Sequence, residues 1–246
     1  MVKRRFVTYP ELVKGDRLFL PEEEAHHAIR VLRLKPGDAV SVIDGIRVYE
    51  GKIESISKKE VSVKIETRRE AVRKRPEIIL YQAFVKGKKA EFIVEKTTEA
   101  GVDEIVFFSA DHSVAVFDER KISRLSKIAL QASKQSGREY APVVRRLERF
   151  EFPVLDRGEI GFFLDPKGET LTPAGVDSGR ELKRVYVFVG PEGGFSAQEK
   201  EAALKMGISV IRLNYPVLRT ETAALAAVLI TSFLYRSAYR NSHVCR

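Results

Sequence analysis

The sequence contains a single cysteine, Cys245, in 246 residues. One thiol can build neither an internal disulfide nor a metal cage, and four scattered histidines add no ligand spacing, so no metal site is expected. Long apolar runs are also missing: no stretch approaches the roughly 20 residues that span a bilayer. The opening segment, "MVKRRFVTYPELVKGD", is basic but has no apolar signal core. The expectation is a cytoplasmic protein with no membrane partner. Internal repeats and low-complexity segments are absent as well.

What is present is an ordinary globular balance, 44% hydrophobic and 31% charged. The length suits one large domain or two modest ones. The net charge of +9 is partly local. Between Lys58 and Arg75, "KKEVSVKIETRREAVRKR" has eight basic and three acidic residues, a net of +5. Such a run is either a solvated strand and linker or an electrostatic footprint for a phosphate backbone. Further basic spots occur at Arg4-Arg5, Arg30/Arg33, Lys86-Gly87-Lys88-Lys89 and Arg145-Arg146.

Two rhythms divide the chain. The first seventy residues read as short β-branched strands ("RLFLP", "DAVSVIDG", "RVYEGKIESIS", "EVSVKIETR") punctuated by Pro21, Pro36-Gly37 and Asp44-Gly45. One helical patch, "EEEAHHAIRVLRL", interrupts them, and the pattern predicts a small β-barrel-like domain. The charged stretch from Glu66 to Pro76 reads as its boundary. After Pro76 strands and helices alternate, which predicts an α/β domain with a mainly parallel sheet covered on both faces. Ser196 and Glu199 form a capping box that starts a helix, and Gly101, Gly137 and Gly207 are placed to end helices. "ETAALAAVLITSFLYRSAYR" reads as a closing helix with a broad apolar face.

In parallel sheets, ligands sit beyond the carboxyl ends of strands. Three strand exits carry unusual chemistry: Leu164-Asp165-Pro166, Gly190-Pro191-Glu192-Gly193-Gly194, and Asn214 to Thr222. The glycine cluster is neither a P-loop nor a dinucleotide loop by spacing. It is either a ligand loop or a tight structural turn. In the third exit Arg219, Thr220, Glu221 and Thr222 stand together ahead of an apolar helix. They are either ordinary helix initiation or a polar clamp on a ligand or base.

Together "VGPEGGFS" and "LRTETAA" resemble the ribosomal RNA small-subunit methyltransferase E family, of the SPOUT class. "HHAIRVLRLKPGD", "KGKKAEFIVEKTTEAGVDEI" and "ALQASKQSGREYAPVV" agree with it, so the likeness covers nearly the whole chain in order. The resemblance implies an N-terminal PUA-like RNA-binding β-barrel over residues 1–72. It implies a C-terminal SPOUT-type α/β domain over 73–246, with a trefoil knot that periodicity would not predict, since knots are nearly absent among proteins. The implied reaction is S-adenosylmethionine-dependent methylation at N3 of a specific uridine in 16S ribosomal RNA. The implied substrate is small-subunit ribosomal RNA or the assembled small subunit, the family favouring the assembled particle, and the implied enzyme is a homodimer. The alternative is a non-catalytic ribosome- or RNA-binding protein that kept the fold.

In this family the knot loops hold the cofactor mostly through backbone groups and apolar walls. Carried onto this chain, that role falls to Leu164, Gly190, Glu192, Gly194, Leu213, Asn214, Val217 and Leu218, with glycine allowing close approach and positive φ. Two departures stand out. Asn214 replaces the usual glycine, which the tolerance of Asn for left-handed backbone accommodates. Tyr215-Pro216 replaces a usual arginine, which puts one RNA or cofactor contact in doubt. Uridine N3 carries a proton and is a poor nucleophile when neutral. Arg219 is therefore expected to stabilise charge on the base and Glu221 to be the candidate base, with Thr220 or Thr222 orienting. RNA contacts are expected from Arg30 and Arg33 on the barrel side, and from Lys86, Lys88 and Arg138 on the catalytic side. His26 and His27 are read as contact or structural residues.

Overall fold

The computed structural model describes residues 4–57, 60–113, 118–171, 182–214 and 216–236. Lys58, Lys59, Tyr215 and Cys245, singled out above, lie outside them. The described residues form two compact units: one of the residues up to Val72 with Leu130–Ala141, the other of Arg73–Ala129 and the residues from Pro142 on.

The first unit is built on a six-stranded sheet. Its strands are β1 (Arg5–Val7), β2 (Val13–Lys14), β3 (Arg17–Phe19), β4 (Ala39–Ile43), β5 (Arg47–Ile56) and β6 (Val61–Glu70), in the order β1-β4-β5-β6-β3-β2. Phe6, Leu18, Val42, Tyr49, Ile53 and Val63 make its core. The ten-residue strands β5 and β6 carry the sheet, with register shifts at Glu50/Gly51 and Ile53/Ser55. Gly51 is obligatory there, because a Cβ would fall 2.1 Å from the Lys64 carbonyl oxygen.

Two expectations change. The helical patch is a short α1 (Glu22–His26) that widens into a π turn over His27–Val31 and ends at Arg33, whose φ of 50° is left-handed. A chain heading into Pro36 cannot prolong the helix. The charged stretch from Glu66 is strand before it is boundary: β6 continues to Glu70, opposite Arg47, because β5 is long enough to partner it, and the division between the units follows at Val72/Arg73.

The second unit is an all-parallel six-stranded sheet. It comprises β7 (Glu77–Ala83), β8 (Glu104–Phe108), β9 (Val143–Arg146), β10 (Glu159–Thr170), β11 (Arg184–Val189) and β12 (Ser209–Arg212), ordered β12-β10-β11-β7-β8-β9. The helices are α2 (Lys89–Ala100), α3 (Glu119–Gln135), α4 (Ala197–Lys205) and α5 (Thr220–Thr231), the last continued by a π turn over Ser232–Arg236. Burial on both faces explains the near-continuous apolar strands. Ile78, Leu80, Phe107, Val185 and Val187 pack on one face with Ile93 of α2, Leu125 of α3 and Val228 of α5. Tyr81, Phe108, Phe163 and Phe188 pack on the other with Ala203 of α4 and the Phe150–Phe152 segment. Gly101 stops α2 with φ 103°, and the Ser196–Glu199 capping box starts α4 as predicted.

The expected exit at Leu164 is a bulge instead. β10 runs on to Thr170, and both Leu164 and Glu169 register with Ile211 of β12. Asp165 turns the chain by accepting the Lys167 amide at 2.6 Å, and a Cβ on Gly168 would lie 2.6 Å from Ile211 backbone. At the far end of α5's extension, Arg236 pairs with buried Asp103 and donates to the carbonyls of Gly101 at 2.6 Å and Pro76 at 3.1 Å.

Candidate functional site

Strands β12, β10, β11 and β7 are neighbours and all parallel, so the segments at their carboxyl ends converge on one edge of the second unit. β11 delivers the glycine loop. Gly194 turns it with φ 73° and donates its amide to the Pro191 carbonyl at 3.0 Å. Gly190 is needed for a different reason from the one expected. Its φ is not positive, and a Cβ there would meet the Phe195 ring at 3.0 Å. That ring is itself set against Phe163 at 4.0 Å between centroids. Gly193 faces His112, whose Cβ would be 3.1 Å from an added methyl.

The loop is held at both flanks. Lys89, opening α2, pairs with Glu192 at 2.6 Å, and the bond holds the Glu192 carboxyl below its usual range. On the other side the segment after β8 supplies His112, with Nδ1 3.1 Å from the Gly194 carbonyl oxygen, and Asp111. Asp111 accepts the Ser196 hydroxyl and donates its amide to Glu199 at 3.0 Å. Glu199 also accepts the Ser196 amide at 2.8 Å, so the capping box of α4 extends into the next loop.

The third segment leads from β12 into α5. Leu213 and Leu164 are half-buried and pack against the same cluster as α5. Asn214 is exposed and Val217 is 83% exposed; Leu218 is half-buried. Arg219 is the residue before the first turn of α5, extended at φ −64° and ψ 152°, and its side chain makes no capping bond. It is exposed. Thr220 is buried, and its hydroxyl is committed to protein: it donates to the Gly190 carbonyl at 2.6 Å and accepts from Gln82 Nε2 at 3.1 Å. Glu221 keeps Oε2 buried without a hydrogen-bond partner, a carboxylate oxygen with accepting capacity left over. Thr222 is exposed.

The structure therefore joins the second and third loops through Thr220 and Gly190 and sets Glu192 and Gly194 in the same turn. Thr220 is placed as a lock between loops rather than as a free hydroxyl. Gln82, Lys89, Asp111 and His112 complete the edge. Lys89 carried a sequence signal as part of a basic spot. A polar residue inside the apolar strand "EIILYQAFV" was the available clue to Gln82.

The expected RNA contacts divide between the units. Arg30 and Arg33 are exposed in the first, Lys86 and Lys88 in the second. Arg138, expected on the catalytic side, belongs to the first unit, with its guanidinium 4.6 Å from the Tyr140 ring centroid. Much of the basic run is already partnered within the protein. Lys64 pairs with Asp16, Arg69 with Glu139 at 2.6 Å and Arg75 with Glu77, and Arg68 donates to the Gly15 carbonyl at 2.7 Å. His27 packs edge-on against Phe6. Among the described residues no cluster of three or more His, Cys, Asp or Glu is placed to hold a metal, and no helix is long and apolar enough to cross a membrane.

Residues 73–232 match the RNA methyltransferase domain, and residues 20–66 match the RNA methyltransferase PUA domain. Ribosomal RNA small subunit methyltransferase E of Aquifex aeolicus is 31% identical over 227 residues, covering 91% of this chain and 97% of that protein. The protein of the same name from Bacillus subtilis is 28% identical, covering 94% and 96%. A Legionella pneumophila protein solved in complex with the bound cofactor SAM, and described as a methyltransferase, superposes with a TM-score of 0.75 at 28% identity, covering 94% and 98%. The two family models make the chain an RNA methyltransferase with a PUA domain. The chain belongs to the ribosomal RNA small subunit methyltransferase E family.

Proposed function

We propose that this chain transfers the methyl group of S-adenosylmethionine to N3 of a uridine in 16S ribosomal RNA, acting on the assembled small subunit. Membership of the family makes the reaction a methyl transfer to small-subunit ribosomal RNA. The observation that carries the cofactor assignment is the bond from Thr220 to Gly190, which brings the glycine loop and the start of α5 to one place. The donor set fits the cofactor. Open space at Gly194 and accessible apolar Val217 suit an adenosyl group. The loop lacks the Lys-Ser or Lys-Thr of a triphosphate cradle. Gly190, Glu192, Gly194, Leu164, Leu213, Asn214, Val217 and Leu218 are the proposed cofactor contacts.

When bound, the cofactor supplies an electrophilic sulfonium methyl; the protein's part is alignment and proton management. Arg219, exposed and uncommitted to a cap, stabilises negative charge developing on the uracil oxygens. Glu221 accepts the N3 proton through its unpartnered oxygen. The target base must leave its stack at a cost of a few kcal/mol, roughly. Arg30, Arg33, Lys86 and Lys88 supply the compensating phosphate contacts, and Arg138 acts with the first unit.

We also propose the architecture that goes with this chemistry. A PUA-like barrel over 1–72 precedes a methyltransferase domain over 73–246 whose C-terminal part is threaded as a trefoil knot. The enzyme is a homodimer, supported by the apolar surface that Leu229 and Phe233 leave exposed at 49% and 72%. Isothermal titration separates this reading from an RNA-binding module that kept only the fold. S-adenosylhomocysteine should bind the isolated protein in the absence of nucleotide, and ATP should not compete. Absence of S-adenosylhomocysteine binding would overturn the enzymatic reading.

A further inference from the structure

Gln82 is fully buried, one residue from the end of β7, on the same sheet face as Ile78 and Leu80 and opposite Val189, the residue before the glycine loop. Its surroundings are apolar, yet its amide is specifically engaged. Nε2 donates to the Ala83 carbonyl at 3.0 Å and to Thr220 Oγ1 at 3.1 Å, 138 residues away. Because the Thr220 hydroxyl donates its only proton to the Gly190 carbonyl at 2.6 Å, it accepts from Gln82. The result is a directed relay, from the β7 strand through the first residue of α5 to the backbone of the glycine loop. Oε1 of Gln82, meanwhile, is buried with no hydrogen-bond partner. Natural folds satisfy most buried polar atoms, and an orphaned amide oxygen in an apolar layer carries a cost that a methionine of similar shape would avoid.

We infer that Gln82 is a positioning residue of the methyl-transfer site: through Thr220 it fixes the Gly190 carbonyl and the start of α5 in one geometry, so that the cofactor cleft exists before the cofactor arrives. The inference rests on the reading of the glycine loop as the S-adenosylmethionine site. The relay retains a costly amide because loop geometry, rather than stability, depends on it.

The test uses the full chain with Gln82→Met, Thr220→Val and Thr220→Ser, reading S-adenosylhomocysteine affinity by titration, KM and kcat with small subunits, and thermal melting. Gln82→Met and Thr220→Val should each weaken S-adenosylhomocysteine binding about tenfold or more and raise KM for the cofactor accordingly. The change in kcat at saturating cofactor should be much smaller. Thr220→Ser, which keeps the hydroxyl, should recover most of the lost affinity. Gln82→Met should melt no lower than the parent, since it also removes the orphaned oxygen. A variant that melts lower but binds as the parent does would show a bond serving stability alone and would overturn the inference. Equal binding by all variants would overturn it too. Failure of the unsubstituted protein to bind would instead refute the cofactor reading itself.

Discussion

Replacing Arg219 with alanine should lower methyl transfer about 10²- to 10³-fold, the range typical for loss of one preorganised charge stabiliser. S-adenosylhomocysteine affinity should change by less than about threefold, well under 1.4 kcal/mol. The asymmetry follows from the placement of the side chain. Arg219 precedes α5 without capping it and is exposed, so neither the helix nor the Thr220–Gly190 lock depends on its guanidinium. Its positive charge matters only when uracil develops negative charge on losing the N3 proton. Single-turnover rates at saturating cofactor, set beside titrations with S-adenosylhomocysteine, separate the two effects. A variant as active as the parent would remove Arg219 from the chemistry. A variant that loses binding and rate in equal measure would reassign it to the cofactor cleft.

The largest effect on stability should come from the opposite end of the same helical segment. Arg236 is one-tenth exposed and Asp103 is 2% exposed; Asp103 also accepts the Ile78 amide at 2.8 Å. The guanidinium holds the carbonyls of Pro76 and Gly101 besides. Arg236→Ala leaves a buried carboxylate and the Pro76 and Gly101 carbonyls short of a donor. Breaking one side of such a pair costs about 3–5 kcal/mol, a fall on the order of 10 °C in Tm for a chain of this size. The exposed Arg17–Glu54 pair, with side chains 54% and 28% accessible, offers the contrast, since Arg17→Ala should cost less than about 1 kcal/mol. Urea titrations of the two variants check both values, and equal losses would mean that burial does not set the strength of the Arg236 contacts.

Local features of this chain were legible in its residues, and features built over long separations were not. β11 spans the stretch "RVYVFV" read as a strand, and the α4 capping box forms between the two residues predicted to make it. Both depend on neighbours a few positions apart. The alternation of strands and helices after Pro76 likewise gave the parallel sheet, because burial on both faces writes itself into each strand. By contrast, the bulge after Leu164 depends on Ile211, and the relay from Gln82 depends on Thr220. The membership of Leu130–Ala141 in the first unit depends on packing against residues such as Val7, Ile43 and Val48. No period in the sequence encodes such pairings. Gly190 shows the same limit within the site. Its motif marked a loop, but the reason for glycine, the Phe195 ring lying where a Cβ would go, is tertiary. The basic run was half legible: the charges were evident, their partners Asp16, Glu139 and Glu77 were not.

The most direct test of the central claim is methyl transfer itself. The protein would be incubated with methyl-labelled S-adenosylmethionine and small ribosomal subunits from a strain lacking the activity, and the digested RNA resolved into nucleosides. The account predicts label in a single nucleoside, 3-methyluridine. Label in any other nucleoside, or none from a protein that binds neither S-adenosylmethionine nor S-adenosylhomocysteine, would contradict it.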